Sequence, residues 1–375
     1  MQGHRFTGGG PLPQKEVIMG FRIEKNPAVP SRMVVFSFSV LSLILASAVI
    51  GIIFLAYGIN PIRAYADVLG KTLGSFYGLS EIIRKCIPLL LCGAGLLLVF
   101  RTSFWNIGAE GQILMGAVAA TWAALFSNFP DFLLIPCLFL FGFIAGAVWG
   151  FIPTVLKSRF RISEVITTLM MNYIALYIVL FLIHGPWKGK TMRGFAYTDK
   201  FPASASLPLI GNTRIHWPTL VIALILVAAI YIILTRTKLG YEIKVISQSP
   251  KAGRYAGISY FKTVFWVMII SGGAAGLAGA GEVAGIHHLL RHPNQISMGY
   301  GYTAILVAWL ARSNPFITIM TALLMAFIFV AGDTIQLSFG LPSQIVNVST
   351  GLILFFLILS EGMMHYRISW KRKEG

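Results

Sequence analysis

Arg101-Thr102-Ser103-Phe104-Trp105-Asn106-Ile107-Gly108-Ala109-Glu110-Gly111-Gln112 lies between two apolar runs, 86–100 and 113–127. At a rise of about 1.5 Å per residue each run covers roughly 22 Å, short of the roughly 30 Å hydrocarbon core of a bilayer. Each run is therefore expected to borrow length from the polar stretch between them. That puts Asn106, Glu110 and Gln112 at membrane depth, where an unpaired polar group carries a heavy desolvation cost. Irregular backbone survives there only where it is buried in protein or lines a polar cavity. Gly108 and Gly111 permit the break and a close approach of neighbouring backbone. The stretch reads as the wall of a translocation path. The competing reading is a cytoplasmic turn with a snorkelling Arg101 and a capping Glu110.

Working outward, composition sets the class. The 375 residues are 56% hydrophobic and only 11% charged, against about 25% charged in soluble domains, and the mean hydropathy is +0.77. The expectation is an all-α, polytopic membrane protein of about ten transmembrane helices, some short or broken. A tail over 1–32 precedes a transmembrane domain, 33–361, and a basic tail follows over 362–375. The net charge of +17 invites a nucleic-acid reading. Most Lys and Arg fall in loops, however, and Phe sits inside apolar runs instead of interleaving with them, so nucleic acid is excluded. Cys86, Cys92 and Cys137 have no metal-ligand spacing, so neither a disulfide framework nor a metal site is expected. The first apolar run, 33–59, is too long for a signal peptide and stays as an anchor.

The chain in order then gives a mixed segment, 60–85, expected as an interfacial helix outside, and the two short runs. A turn at 128–131 leads to a span over 132–153. Gly142, Gly146 and Gly150 form one stripe of that span, a helix-packing face. A cytoplasmic loop is expected at 157–161. The next span, 163–184, aligns Glu164, Thr168 and Asn172 on one face, for solute or for interhelical hydrogen bonds. Segment 185–216 is the longest external loop. A span over 217–235, the basic loop 236–262 and a span over 263–285 follow, the last with a small-residue stripe at Gly272, Gly276, Ala280 and Ala284. Beyond the polar stretch 286–299 come the short run 300–311 and spans at 314–335 and 345–361. The Lys and Arg excess puts both termini in the cytoplasm. The polar interruptions 101–112 and 286–299 each follow the first span of one half, which raises an inverted repeat with a midplane site.

Chemistry is limited by what is missing. Gly70-Lys71-Thr72 has Tyr65, and Gly189-Lys190-Thr191 has His184, where a phosphate-cradling loop needs its first Gly. The chain is not expected to act as an enzyme or to carry a cofactor. Glu110, Glu164, Glu282 and Asp333 keep an ion-coupled secondary carrier as the alternative. His287, His288 and His292 read as interfacial side chains. In the basic loop, Ser249-Pro250 marks a helix start and Gly257 its end, so Pro250–Ala256 is expected as a two-turn helix. Its Lys251 and Arg254 suit docking to a soluble partner, with anionic lipid as the competing partner.

Asn106-Ile107-Gly108-Ala109-Glu110-Gly111-Gln112 resembles the signature of nucleoside-type ABC importer permeases, a branch of the binding-protein-dependent family that includes ribose, galactose and branched-chain amino acid permeases. Ser163–Ile166 with Met171-Asn172-Tyr173, Arg254–Ile258 and Ala278–Gly285 are similar to further segments of that branch, and the likeness runs from about 60 to 362. It implies a separate ABC ATP-binding subunit that hydrolyses ATP, a second permease chain and an extracytoplasmic solute-binding protein. It implies a place in the bacterial plasma (inner) membrane, among membrane lipid. Under it the path residues are Asn106, Glu110, Gln112, Thr168 and Asn172. Ser249, Pro250, Lys251, Arg254 and Gly257 serve ATPase coupling. The implied solute is a nucleoside, with a simple sugar as the alternative.

Overall fold

The computed structural model describes residues 18–25, 32–191, 194–312, 314–364 and 366–373. Residues 1–17 and 26–31 of the expected N-terminal tail, and Arg193 of the external loop, lie outside the described residues. In chain order the elements are β1 (Ile18–Lys25), α1 (Arg32–Ala56), α2 (Pro61–Leu73), α3 (Phe76–Phe100), α4 (Ala109–Phe126), α5 (Asp131–Phe160) and α6 (Glu164–His184). There follow α7 (Trp217–Arg236), α8 (Lys238–Gln248), α9 (Pro250–Tyr255), α10 (Tyr260–Glu282) and α11 (Pro293–Ile296). The last elements are α12 (Tyr300–Leu310), α13 (Pro315–Phe339), α14 (Ser343–Met364) and β2 (Tyr366–Lys373). Among the described residues seven helices are long and apolar enough to cross a membrane, or up to eight if the bent pair α1 and α2 forms one crossing. Tyr300–Leu310 and Asn347–Ser360 are shorter apolar helices.

The chain divides into two compact units, 1–65 with 335–375, and 66–334. In the first, α1 runs along α14. β1 pairs antiparallel with β2, from Ile18 opposite Lys373 to Lys25 opposite Tyr366. The sequence reading leaves both tails irregular. The alternation of Ile, Phe, Tyr and Trp with polar residues in the two segments is what favours strands there.

In the second unit α10 is the axis, packed on α3, α4 and α5. The two small-residue stripes of the sequence pack on each other. A Cβ at Gly276 would overlap the carbonyl of Gly142, and one at Gly146 the carbonyl of Gly272. Such approach lets backbones touch where apolar burial alone gives helices little reason to associate in lipid. The halves also exchange partners: α3 meets α10, α3 packs on α12, and α10 packs on α4.

α3 is not the short span expected from the run 86–100. Its 25 residues begin at Phe76, so the run 86–100 gains length from upstream and needs none from 101–108. The expected interfacial segment 60–85 divides between α2 and the first turns of α3. The helix continues through Glu81, Arg84 and Lys85 because each charge is matched. Arg84 Nε donates to Glu81 Oε2 at 2.8 Å. Lys85 Nζ lies 2.5 Å from Asp333 Oδ2 and 5.5 Å from the Phe329 ring centroid. The expected loop 157–161 is also mostly helix. α5 continues to Phe160 and turns only at Arg161, whose φ is 56°.

The described residues of the loop 185–216 form a cap held by backbone hydrogen bonds. Thr198 N donates to Leu290 O at 3.0 Å, Phe201 N to His288 O at 2.8 Å and Leu207 N to Ala284 O at 3.0 Å. Within it, Asp199 accepts from Thr191 Oγ1 at 2.6 Å and from Thr191 N at 3.1 Å. Those donors hold its carboxyl below the usual aspartate range.

Replacing Gly276 by Val should cost about 1–3 kcal/mol or more, because backbone faces the new side chain. Gly351→Ala, which meets nothing within 4 Å, should not lower the thermal midpoint of the detergent-solubilised protein. Equal midpoints for both variants would remove the seam from the account of the fold.

Candidate functional site: the bracket around the α3–α4 break

Between α3 and α4 the backbone leaves the helix and re-enters it. Thr102 Oγ1 turns back to Val99 O at 2.7 Å, and Ser103 takes a left-handed φ of 56°. Asn106 Oδ1 then accepts from Gly108 N at 2.9 Å, closing a tight turn that starts α4. Its amide also meets that of Gln112, with Nδ2 3.3 Å from Oε1. A helix N-terminus leaves backbone N–H groups without intrahelical partners. α6 supplies what α4 lacks.

Asn172 Oδ1 accepts from Gly111 N at 2.8 Å, and Asn172 Nδ2 donates to Ile107 O at 2.9 Å and to the Tyr302 hydroxyl at 3.2 Å. One turn earlier on α6, Thr168 Oγ1 accepts from Ile107 N at 3.2 Å and donates to Glu164 O at 2.7 Å. Glu110, in the first turn of α4, reaches the start of α12. Its Oε2 accepts from Gly301 N at 2.8 Å and its Oε1 from Gly299 N at 3.2 Å. A carboxylate at a helix N-terminus is favoured by the backbone dipoles there. A Cβ at Gly301 would overlap the backbone of Glu110, so only glycine lets α12 start so close.

The five side chains expected along the path, Asn106, Glu110, Gln112, Thr168 and Asn172, are thus brought together, but facing inward. Asn106 and Thr168 are fully enclosed and Glu110 is 8% exposed. They brace α4, α6 and α12 against one another. The outward rim beside them is aromatic, and the sequence reading passed over it. Trp105 and Trp309 meet edge-on at 6.0 Å between centroids, Tyr302 is half-exposed, and α6 presents a shallow groove of about 490 Å³ lined by Met170, Tyr173, Ile174, Tyr177, Ile178 and Phe181. Aromatic residues in apolar runs give no sequence signal that separates such a rim from a lipid-facing surface.

The expected loop helix is present as α9, Pro250–Tyr255. Ser249 Oγ accepts from Ala252 N at 3.2 Å. Gly257 ends the helix with φ 72°, and Ile258 N returns to Gly253 O at 2.9 Å. Lys251 and Arg254 are exposed, and Tyr255 beside them is 92% exposed. The preceding α8, unforeseen from sequence, is held to α10 by Thr263 Oγ1 donating to Glu242 Oε2 at 2.9 Å. Three of the four carboxylates considered for ion coupling have local tasks. Glu110 caps α12, Glu164 meets Lys157 Nζ at 2.5 Å, and Asp333 meets Lys85. His287 departs from the interfacial reading: it turns inward, with Nε2 3.9 Å from Glu282 Oε2.

Asn172→Leu should destabilise the protein by roughly 1–3 kcal/mol for each bracket group left unpaired, Gly111 N–H and Ile107 C=O. A thermal midpoint equal to that of the unaltered protein would mean the amide does not hold the break.

Comparison with known proteins agrees with this architecture. Residues 78–360 match the family model described as branched-chain amino acid transport system / permease component. A glucose ABC transporter permease protein of Haloferax volcanii is 33% identical over 88% of each chain. A nucleoside ABC transporter permease protein of Lactococcus lactis subsp. cremoris is 35% identical over 82% of this chain and 86% of the relative. A guanosine ABC transporter permease protein of Bacillus subtilis is 30% identical over 89% of this chain and 96% of the relative. With a polytopic helical fold, a bracketed break and this similarity along most of its length, the chain belongs to the branched-chain amino acid transport system / permease component family and is a membrane-spanning permease subunit of an ABC importer, not itself an enzyme.

Proposed function

We propose that this permease imports a neutral, hydroxyl-rich solute, a nucleoside, past the α3–α4 break. It would work with a second permease chain, an ABC ATP-binding subunit and an extracytoplasmic solute-binding protein. The observation that carries the reading is the chemistry of the break. Its one carboxylate, Glu110, holds the start of α12, and the other polar side chains there are uncharged amides and hydroxyls beside aromatic rings. Amides and hydroxyls both donate and accept, which suits base edges and ribose better than a charged solute. The rings of Trp105, Trp309, Tyr173 and Tyr177 offer faces on which a base stacks. Relatives named for nucleoside and guanosine transport support that choice. The relative named for glucose transport favours a simple sugar as the second reading.

Asn106, Glu110, Gln112, Thr168 and Asn172 are enclosed in the conformation described. Their contact with solute therefore requires α6 or α12 to part from α4 during the cycle. In a cysteine-free background, cysteines at 106, 112 and 172 should react with polar reagents only when nucleoside and ATP are both supplied. Labelling by lipid-soluble reagents alone, in every state, would move the path elsewhere. Reconstituted with its partners, the complex should take up nucleoside in preference to glucose, and preference for glucose would select the sugar reading.

Energy would come from ATP hydrolysed by the partner, with no cofactor held in this chain and the membrane lipid as its other partner. Ser249, Pro250, Lys251, Arg254 and Gly257 build and present the docking helix α9. Both termini would lie in the cytoplasm and the chain in the plasma (inner) membrane. The excess of Lys and Arg on that side supports the cytoplasmic placement, and the pairing of β1 with β2 supports a common side for both tails. Reversing charge at both Lys251 and Arg254 should abolish most solute-stimulated ATPase activity while the permease still folds. Unchanged stimulation would place docking on another surface.

A further inference from the structure

Beneath the 185–216 cap, the end of α10 carries a buried carboxylate that none of the transport chemistry above uses. Glu282 is 1% exposed, and neither of its oxygens has a hydrogen-bond partner. The helix widens there into a π turn over Val283–His287, with His288 N donating to Val283 O at 2.7 Å. Such a turn inserts a residue at the cost of helical regularity and is frequent at functional positions. Here it swings His287 back over Glu282, with Nε2 3.9 Å from Oε2, a separation that suits a bridging water.

The start of α7 closes the other side. A Cβ at Gly285 would run into the His216 ring, and one at Gly281 into the Thr219 side chain. These two residues therefore press on the turn of α10 that carries Glu282. His216 is 1% exposed and Thr219 fully buried, and both His216 nitrogens and Thr219 Oγ1 are unpartnered. From α3, Arg84 donates to Glu81 Oε2 at 2.8 Å. From the cap, Arg214 Nη1 stands 3.6 Å from Glu81 Oε1. Two arginines, one from α3 and one from the cap, thus share Glu81.

A buried carboxyl group, ionised or neutral, is costly unless hydrogen bonds replace its hydration. No protein donor reaches Glu282, yet unpartnered polar groups of the π turn and of the start of α7 pack about the same turn of α10. Buried polar sites of this kind hold water, typically making about three hydrogen bonds per molecule. A metal ion fits poorly, because no group of three His, Cys, Asp or Glu that could hold one occurs among the described residues. We propose that Glu282, His287, His216 and Thr219 form an internal water-binding site, whose ordered water ties the start of α7 and the external cap to the end of α10.

The proposal stands apart from the choice of solute, and its test needs no transport. X-ray hydroxyl-radical footprinting of the full-length chain in detergent labels side chains beside bound water even when they are buried. His216 and His287 should be oxidised, and oxygen from H2(18)O should enter them slowly, while the equally enclosed Phe104 stays unmodified. In Glu282→Leu the labelling of both histidines should fall about tenfold, and amide exchange over 197–216 should accelerate about tenfold with 131–160 unchanged, as expected for lost bridging hydrogen bonds. Unlabelled histidines in the unaltered protein, or undiminished labelling in Glu282→Leu, would overturn the site. If Glu282→Leu does not fold, Thr219→Val removes one water partner without touching charge. It should lower His216 labelling, and unchanged labelling there would be equally fatal.

Discussion

A break between helices that is buried in protein survives only if the protein supplies every hydrogen bond that water cannot. In this permease that constraint falls on one side chain more than any other. Asn172 is an amide, so it can accept from Gly111 N and donate to Ile107 O at once. An acid could do only the first while ionised, and a hydroxyl could not span both groups. With Thr168 on Ile107 N and Glu110 on Gly299 N and Gly301 N, the break becomes a junction shared by α4, α6 and α12. The polar groups are costly alone and stable together.

The same economy recurs where charge enters α3. Glu81, Arg84 and Lys85 would end an apolar span if they were unmatched. Glu81 with Arg84, and Asp333 with Lys85, remove that difficulty and let the helix run its 25 residues. The glycine seam between α5 and α10 works by the opposite means. It removes side chains altogether, so that dispersion between backbones replaces the apolar drive that lipid denies. Charged pairs and bare backbone thus solve the same problem of joining helices inside a medium as apolar as their own side chains.

These choices bear on transport. A junction held by a few directional hydrogen bonds has discrete arrangements, in the way a continuously packed apolar face does not. α12 starts on a glycine pressed to Glu110 and is only 11 residues long. It is therefore the element with least of its own structure to lose when the bracket opens. The long helices α3, α5 and α10, locked by seam and ion pairs, form the frame against which such a movement would work.

Much of this was legible in the residues. The apolar runs and their spacing require a polytopic helical protein, because no other chain structure satisfies its backbone in lipid over such lengths. Ser249-Pro250 and Gly257 determine α9 locally, since capping needs only neighbours in sequence. The signature 106–112 marks its own importance through polar atoms and glycines in an apolar setting. Sequence could not decide which way those atoms face. Asn172 on a helix face meets solute or backbone according to what lies 61 positions away at Gly111. The upstream start of α3 depended on Asp333, 248 residues distant from Lys85. His287 turned inward because a π turn and the cap from 185–216 enclose Glu282. Local rules fix helices and their ends, whereas the partners that let a buried polar group remain buried are set only when distant segments meet.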